Sequence, residues 1–228
     1  MATPGRNQPE VIAARHLFDN RQALADGLAG AVSAALSRVI SDTGKAVLAV
    51  SGGTTPALFF TSLSKAEISW DKVTVTLVDE RQVAPDNPRS NARLVQQTLL
   101  TDSAAAARFV PLFGNTAAAA KLKPDVAVLG MGEDGHTASF FPGGDNLQRA
   151  LDPRGDCAIF TMQAPAAGEP RLTFSLPRLV AASRLFLHIE GARKMQVLGE
   201  ALAGDDPLAM PIRAVLHSPA ALQLYWCP

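Results

Sequence analysis

The sequence predicts an α/β protein with a Rossmann-like, mainly parallel sheet and helices on both faces. Short apolar runs of strand length alternate with segments of helical periodicity along most of the chain. Three of these runs end directly in polar clusters, as strands of open α/β sheets do at their ligand-binding edge. No internal repeat and no shift in composition divides the 228 residues, so we expect a single domain over 1–228.

Composition narrows the function classes. Hydrophobic residues make up 47% of the chain, enough for a substantial core. Basic and acidic residues balance at 21 each, which argues against a nucleic-acid partner. Cys157 and Cys227 fit no metal or disulfide pattern, and we interpret them as reduced thiols. We find no signal peptide and no apolar run near the roughly 18 residues of a membrane helix, so we expect a cytoplasmic protein without a membrane partner.

The individual elements follow from periodicity and from turn residues. The predicted strands are 46–50, 73–78, 125–129, 158–162, 171–174, 184–189 and 222–226. The predicted helices are 19–40, with Asp19 or Asn20 as cap, one with Pro56 in its first turn, 91–100 and 192–202. Residues 142–156 are rich in Gly, Pro and Asp and are predicted to form a loop, and residues 1–10 to fray.

The first polar cluster is a glycine-rich turn between strand 46–50 and a helix, with Ser51, Gly52, Gly53, Thr54 and Thr55. Glycines allow a ligand to approach the backbone closely, and the helix N-terminus behind them favours anions or sugar oxygens. The cluster is not a P-loop, because no Gly-Lys-Ser/Thr ending follows. A tight, capped turn without ligand remains the alternative.

A second cluster, the segment 130–136, follows strand 125–129 and matches the dinucleotide fingerprint G-x-G-x-x-G. We reject a nicotinamide cofactor, because aromatic residues, proline and glycines at 140–144 interrupt the helix that this fold requires. The segment instead ends in His136, a side chain that can accept and donate protons near neutral pH. Asp134 lies two residues away and can hold the imidazole in one tautomer. The alternative is a hydrogen-bonded loop histidine.

The remaining candidates are charged residues near strand ends. Asp79 and Arg81, separated by Glu80, follow strand 73–78, and Arg81 can stabilise an oxyanion or bind a carboxylate. Arg171 suits bidentate phosphate contacts, and Lys194 supplies a point charge in the first turn of a helix. A salt-bridged loop and solvated surface cations are the alternatives. The three other histidines are interpreted as structural or surface residues: His16, His188 and His217.

Several segments together resemble the 6-phosphogluconolactonase family, which shares a superfamily with glucosamine-6-phosphate deaminases. They occur in the family's order over roughly 47–200, and the most specific contains Asp134 and His136. These segments are 51–56, 78–81 with Asn91, 130–142, 170–173 and 191–194.

The resemblance implies one active site at the strand ends of a Rossmann-like sheet, with no metal and no organic cofactor. The substrate would be a small sugar-phosphate lactone, in a monomer or homodimer. His136 matches the family's catalytic histidine, which would activate a water, and Arg81 matches an arginine near the reacting end. Arg171 and Lys194 match phosphate ligands, and Asp79 is placed with the substrate-binding residues. The turn 51–55 would then hold the sugar end rather than the phosphate, although the sequence does not decide between the two ends.

Two other functions compete with a lactonase. A glucosamine-6-phosphate deaminase typically carries Asp-Glu-Tyr where this chain has Asp79, Glu80 and Arg81. It also carries an Asn-Glu-Pro segment where this chain has 140–142, Phe-Phe-Pro. A non-catalytic sugar-phosphate sensor would have lost His136 or gained a DNA-binding module.

Overall fold

The computed structural model describes residues 11–156 and 158–228, so the expectations for residues 1–10 and for Cys157 lie outside the described residues. The strands are β1 Ala14–Leu17, β2 Ala46–Val50, β3 Val73–Leu77, β4 Asp79–Arg81, β5 Arg108–Val110, β6 Val126–Leu129, β7 Ile159–Met162, β8 Arg171–Phe174, β9 Arg184–Glu190 and β10 Leu222–Cys227. The α-helices are α1 Arg21–Thr43, α2 Ala57–Ser64, α3 Asn91–Thr98, α4 Thr116–Ala119, α5 Leu147–Leu151, α6 Leu176–Val180, α7 Ala192–Leu202 and α8 Ile212–Leu216.

Seven parallel strands form the main sheet, in the order β1-β10-β9-β6-β2-β3-β5, with helices around it. This confirms the predicted fold class. Its central strands are apolar and buried, as expected where helices cover a parallel sheet. The chain runs outward from β2 through β3 to β5 and then returns to the other side of β2 as β6. The strand order therefore reverses between β2 and β6, which is where open α/β sheets bind ligands.

A second, smaller sheet is antiparallel and has the order β4-β8-β7. The strands predicted at 158–162 and 171–174 exist, but they belong to this sheet and not to the parallel one. Asp79–Arg81, predicted as a polar strand end, is itself a strand of it. Apolar periodicity identifies a strand but not its partner, so the sequence could not separate the two sheets.

The long N-terminal helix α1 packs on the parallel sheet. Asn20, one of the two predicted caps, accepts a hydrogen bond from the Ala23 amide at 2.9 Å, and Gly44 ends the helix in the left-handed region. Among the described helices, α1 is long and apolar enough to cross a membrane by length and composition. However, Leu24, Leu28 and four further side chains of α1 are buried, and the helix contacts β2, β6 and β10. We therefore interpret α1 as a core helix.

Other elements differ from the sequence expectations at short segments. The segment 142–156, predicted as a loop, contains α5, because Leu147, Ala150 and Leu151 turn into the core. Pro56 is the N-cap of α2 and precedes its first turn. The strands β1 and β5 and the helices α4, α6 and α8 were not predicted. Each has three to five residues, too few for a clear periodic pattern.

Candidate active site

A cavity of about 290 Å³ lies at the carboxyl edge of the parallel sheet, next to β2 and β6. The three polar clusters named from the sequence converge on it. The predicted residues that line it are Ser51, Gly52, Gly53, Thr54, Thr55, Asp79, Arg81, His136, Arg171 and Lys194. Of the predicted site residues, all of which the structure describes, only Asp134 does not line the cavity, and it contacts His136.

The turn after β2 is tied to the turn after β6. Ser51 accepts a hydrogen bond from the Gly130 amide at 3.2 Å. Gly53 has φ +98°, a conformation that favours glycine, and Gly52 lies where a Cβ would overlap the side chain of Asn91. The turn therefore needs both glycines. It connects β2 to the N-terminus of α2, and its backbone lies close to the cavity.

His136 and Asp134 form a hydrogen-bonded pair in the turn after β6. The Nδ1 atom of His136 lies 2.6 Å from Oδ1 of Asp134, which also accepts from the His136 amide at 3.1 Å. An ionised Asp134 selects the tautomer with hydrogen on Nδ1, so the lone pair of Nε2 is left free. Burial alone would raise the pKa of Asp134, but the hydrogen bonds and charge of His136 outweigh burial and lower it.

The backbone of this turn is shaped around the pair. A Cβ on Gly132 would lie 2.2 Å from the imidazole and 2.7 Å from the Asp134 carboxylate. Thr137 donates to the Gly130 carbonyl at 2.7 Å, and Ala138 has φ +51°, an uncommon value for alanine. Such strained positions persist only where surrounding contacts fix them, and they concentrate at functional sites.

Phe141 connects His136 to Arg171. Its ring centroid is 4.4 Å from that of His136, and the Arg171 guanidinium lies 5.4 Å from the same ring. The Arg171 Nη2 donates to the Ala167 carbonyl at 2.7 Å, whereas its buried Nε has no hydrogen-bond partner among the described residues. Burial is the main cause that lowers the pKa of Arg171. A buried, incompletely paired guanidinium on a cavity wall suits an anionic ligand.

The antiparallel sheet places two arginines side by side. Arg81 of β4 and Arg171 of β8 are direct cross-strand partners, and Asp79 lies two residues before Arg81 on the same face. All three line the cavity. Asp79 accepts a hydrogen bond from Ser139 at 2.5 Å, which ties this face to the turn that carries His136.

Arg81 is held by contacts on three sides. Its Nη1 donates to the Arg89 carbonyl at 2.6 Å and to the Asn91 side chain at 3.1 Å. Its Nε faces Glu169 at 3.5 Å, and the other carboxylate oxygen of Glu169 pairs with Arg89 at 2.5 Å. These contacts fix the guanidinium before any ligand arrives.

Glu80, on the opposite face of β4, holds the N-terminus of α3. It is 1% exposed, and its carboxylate accepts hydrogen bonds from the amides of Arg81, Asn91 and Ala92 and from Ser90. Burial raises the pKa of Glu80, although the amide hydrogen bonds oppose this. Glu80 is therefore structural, and it positions Asn91 at the cavity.

Lys194 approaches the cavity from the first turn of α7. Its Nζ lies 3.4 Å from Oγ1 of Thr55, next to the glycine-rich turn. Burial lowers the pKa of Lys194, and the charges of Glu190 and Glu133 counteract this in part. The lysine side of the cavity thus combines a cation, a helix N-terminus and a glycine-rich turn.

Comparisons with known proteins agree with this geometry. The family model for glucosamine-6-phosphate isomerases/6-phosphogluconolactonase matches residues 19–226. The chain belongs to this family. A 6-phosphogluconolactonase of Rhizobium meliloti (strain 1021) is 54% identical over 227 residues, covering 93% of this chain and 98% of that protein. A 6-phosphogluconolactonase of Mesorhizobium japonicum is 49% identical, covering 92% and 94%.

The solved structure of a 6-phosphogluconolactonase from Shewanella baltica OS155 superposes with a TM-score of 0.89 at 36% identity, covering 94% of this chain and 97% of that one. This agreement extends over both sheets. The family's fold is therefore established for the described chain, while the roles of its side chains rest on the contacts given above.

In this member of the glucosamine-6-phosphate isomerase/6-phosphogluconolactonase family, the cavity has lining residues that sequence reasoning missed. Asn91 and Phe141 belong to segments that resemble the family, but the sequence did not identify either as a cavity residue. His188 was interpreted as structural or surface, but it is 3% exposed and lines the cavity. A usable signal existed, because His188 and Glu190 lie two apart at the end of a strand and so share one face.

The two remaining histidines lie elsewhere. His16 stacks on Tyr225, with ring centroids 4.4 Å apart, and His217 is exposed at the end of α8. Within 11–156 and 158–228, no group of three or more His, Cys, Asp or Glu side chains could hold a metal ion.

Proposed function

We propose that this protein hydrolyses 6-phospho-D-glucono-1,5-lactone to 6-phospho-D-gluconate. One observation carries the proposal: a histidine held by a carboxylate opens on the same cavity as Arg171 and Lys194. A general base and two cations are what a phosphorylated lactone requires. The relatives named as 6-phosphogluconolactonases support this choice of substrate.

His136 acts as the general base in this proposal. Its Nε2 takes a proton from a water, and the resulting hydroxide adds to the lactone carbonyl. The tetrahedral oxyanion collapses by breaking the bond from the carbonyl carbon to the ring oxygen, and the His136 imidazolium returns the proton to that oxygen. The product is an open-chain acid, which then ionises. A lactone is an activated ester, so its hydrolysis needs modest catalysis. Positioning of the substrate and water, together with proton transfer by His136, supplies most of the rate acceleration.

Arg81 stabilises the oxyanion that forms at the carbonyl. Its guanidinium is fixed by Arg89, Asn91 and Glu169, so it needs no reorganisation as the charge develops. Asp134 contributes by orienting His136 and by stabilising the imidazolium.

The phosphate binds Lys194 and Arg171 in this proposal. The sequence left open which end of the substrate the turn 51–55 holds. Because Lys194 lies against Thr55, we assign the turn and the N-terminus of α2 to the phosphate end. Asp79 and Asn91, on the Arg81 side, are then available to the sugar hydroxyls.

A deaminase or isomerase acting on glucosamine 6-phosphate is the alternative within the same family. Such an enzyme would need a carboxylate following the histidine turn to assist ring opening. Here Phe141 packs against His136 in that segment, and its ring cannot exchange protons. This contact favours lactone hydrolysis. A non-catalytic sensor is disfavoured because the pair His136 and Asp134 is intact.

The test is a turnover assay on freshly prepared 6-phosphogluconolactone, coupled to 6-phosphogluconate dehydrogenase and corrected for spontaneous hydrolysis. Glucosamine 6-phosphate is assayed in parallel for ammonia release. We expect acceleration of lactone hydrolysis alone, and a folded His136→Ala variant that loses most of it. Ammonia release without lactone hydrolysis would replace the lactonase with the deaminase, and inactivity on both would favour a sensor.

We further propose the setting of the reaction. A single domain carries the whole site, and the protein acts in the cytoplasm as a monomer or homodimer without metal, organic cofactor, membrane or nucleic acid. The balanced charge of the chain supports the last of these. Size-exclusion chromatography with light scattering and activity in the presence of a chelator test the oligomeric state and the metal.

A further inference from the structure

His188 is a second histidine at the cavity, and the mechanism above does not use it. It follows Leu187 of β9, which is paired with Leu129 of β6, so His188 lies beside the start of the turn that carries His136. Its side chain is 4% exposed, and its ring lies nearly perpendicular to that of Phe59 in α2, at a centroid distance of 6.0 Å. His188 thus lies deep in the cavity, under α2.

The two ring nitrogens of His188 have different surroundings. Nε2 lies 3.2 Å from Oε1 of Glu190, and the second carboxylate oxygen of Glu190 pairs with Arg21 at 2.5 Å. Nδ1 has no hydrogen-bond partner among the described residues, and this atom is not fully buried. Since His188 lines the cavity, Nδ1 is the nitrogen left for a ligand.

Glu190 contacts His188 directly and acts on Lys194 through its charge. Among the charges acting on Lys194, that of Glu190 is the largest, although the two side chains form no ion pair. Burial would raise the pKa of Glu190, but His188 and Arg21 outweigh burial and lower it. One ionised carboxylate is therefore shared by Arg21 and His188, and its charge also favours the charged form of Lys194 at the cavity.

We propose that His188 binds the substrate's phosphate through Nδ1, beside Lys194, while Glu190 positions the ring through Nε2. This rests on the proposed function for the identity of the phosphorylated ligand. An imidazolium donates from both nitrogens, so one ring can serve Glu190 and a phosphate oxygen together. Glu190 is a positioning residue, because it acts through His188 and Lys194.

The competing explanation is a structural histidine that only satisfies Glu190. Two substitutions separate the two roles, because glutamine places its amide near the position of Nε2 and asparagine near that of Nδ1. His188→Gln keeps the contact to Glu190 and loses the group facing the cavity. His188→Asn keeps the group facing the cavity and loses the contact to Glu190. His217→Gln, at an exposed histidine outside the cavity, is the matched control.

The measurements are binding of inorganic phosphate by calorimetry and steady-state kinetics on 6-phosphogluconolactone and on glucono-1,5-lactone, which lacks the phosphate. We expect His188→Gln to weaken phosphate binding and to raise KM for the phosphorylated lactone by about 10-fold or more, with kcat little changed. In His188→Gln, the ratio of kcat/KM for 6-phosphogluconolactone to kcat/KM for glucono-1,5-lactone should fall by the same factor. His188→Asn should retain most of this preference for the phosphorylated lactone.

The opposite result would overturn the proposal in favour of a structural role: His188→Gln would bind phosphate and the phosphorylated lactone as the unsubstituted protein does, and His188→Asn would be impaired. If His188→Gln does not fold, phosphate titration of the unsubstituted protein decides, with the His188 ring nitrogens observed by NMR. We expect Nδ1 to respond, and no response at saturating phosphate would refute the proposal. Failure of lactone turnover alone, with phosphate binding still dependent on His188, would refute the proposed function and leave this site standing.

Discussion

Replacing Gly132 with alanine should lower the activity of the enzyme about 100-fold without unfolding it. The Cβ of alanine would lie 2.2 Å from both Cε1 and Nδ1 of His136 and 2.7 Å from Oδ1 of Asp134. Gly132 does not occupy the left-handed region, so its backbone accepts alanine. The added methyl group therefore acts on the His136–Asp134 pair and not on the main chain.

The size of the effect follows from the distances. Carbon atoms in contact are roughly 3.5 Å apart, so the imidazole must move by more than about 1 Å. The His136 side chain is 31% exposed, so the ring has space to move away and the fold need not break. A displacement of about 1 Å at a reacting group costs roughly 100-fold, which corresponds to about 2.7 kcal/mol of transition-state stabilisation.

The coupled lactone assay measures this loss as kcat/KM, and thermal unfolding shows whether the variant is folded. The control for a glycine-to-alanine substitution is Gly199→Ala, which should keep full activity. Gly199 lies in the exposed part of α7, where a Cβ meets no atom within 4 Å. A folded Gly132→Ala variant with at least half the original kcat/KM would refute the reasoning, because His136 would then not need its present position.

Three further predictions concern the charged residues. Asp134→Asn should lower kcat by up to about 10,000-fold in the same assay, because an amide can donate to Nδ1 of His136 and move the free lone pair away from the cavity; an unchanged kcat would contradict this. Burial lowers the pKa of Lys194, so phosphate affinity measured by calorimetry should decline with rising pH earlier than for an ordinary lysine; Lys194→Arg should retain binding to higher pH, and parallel curves would rule out Lys194 as a ligand. Glu80→Gln should lower the free energy of unfolding by about 1–3 kcal/mol in urea titrations, because the Gln amide nitrogen cannot accept from Ala92; an unchanged midpoint would show that the carboxylate is not needed.

The sequence was most informative where an apolar strand meets a polar turn. Ser51 and His136 follow β2 and β6 within one and seven residues, and parallel pairing of these strands places both turns at one edge. Buried apolar strands of this kind pair in parallel, and parallel strands end at the same edge of the sheet. The meeting of the two turns could therefore be predicted without coordinates.

What the sequence could not supply were contacts across the chain. Glu169 lies in a loop of mostly Ala, Pro and Gly, and nothing in its neighbourhood indicates that it pairs with Arg81 and Arg89. His188 resembles a core histidine because its strand is apolar, and only Glu190 on the same face distinguishes it. The short strand β4 contains three charged residues, which disfavour a strand by propensity; hydrogen bonds to β8 override that preference.

The pairing of Arg81 with Arg171 has a consequence for the unliganded protein. At this pairing, Asp79 and Glu169 offset the repulsion that Arg81 and Arg89 exert on the Arg171 guanidinium, so burial is what mainly disfavours its charge. The Arg171 guanidinium is thus desolvated with its Nε unpaired among the described residues, and an anion would supply the missing partner, so bound phosphate should raise the melting temperature of this protein. By the same argument, a neutral residue in place of one arginine would make the chain harder to unfold and worse at its task, which is the compromise between stability and activity that binding sites impose.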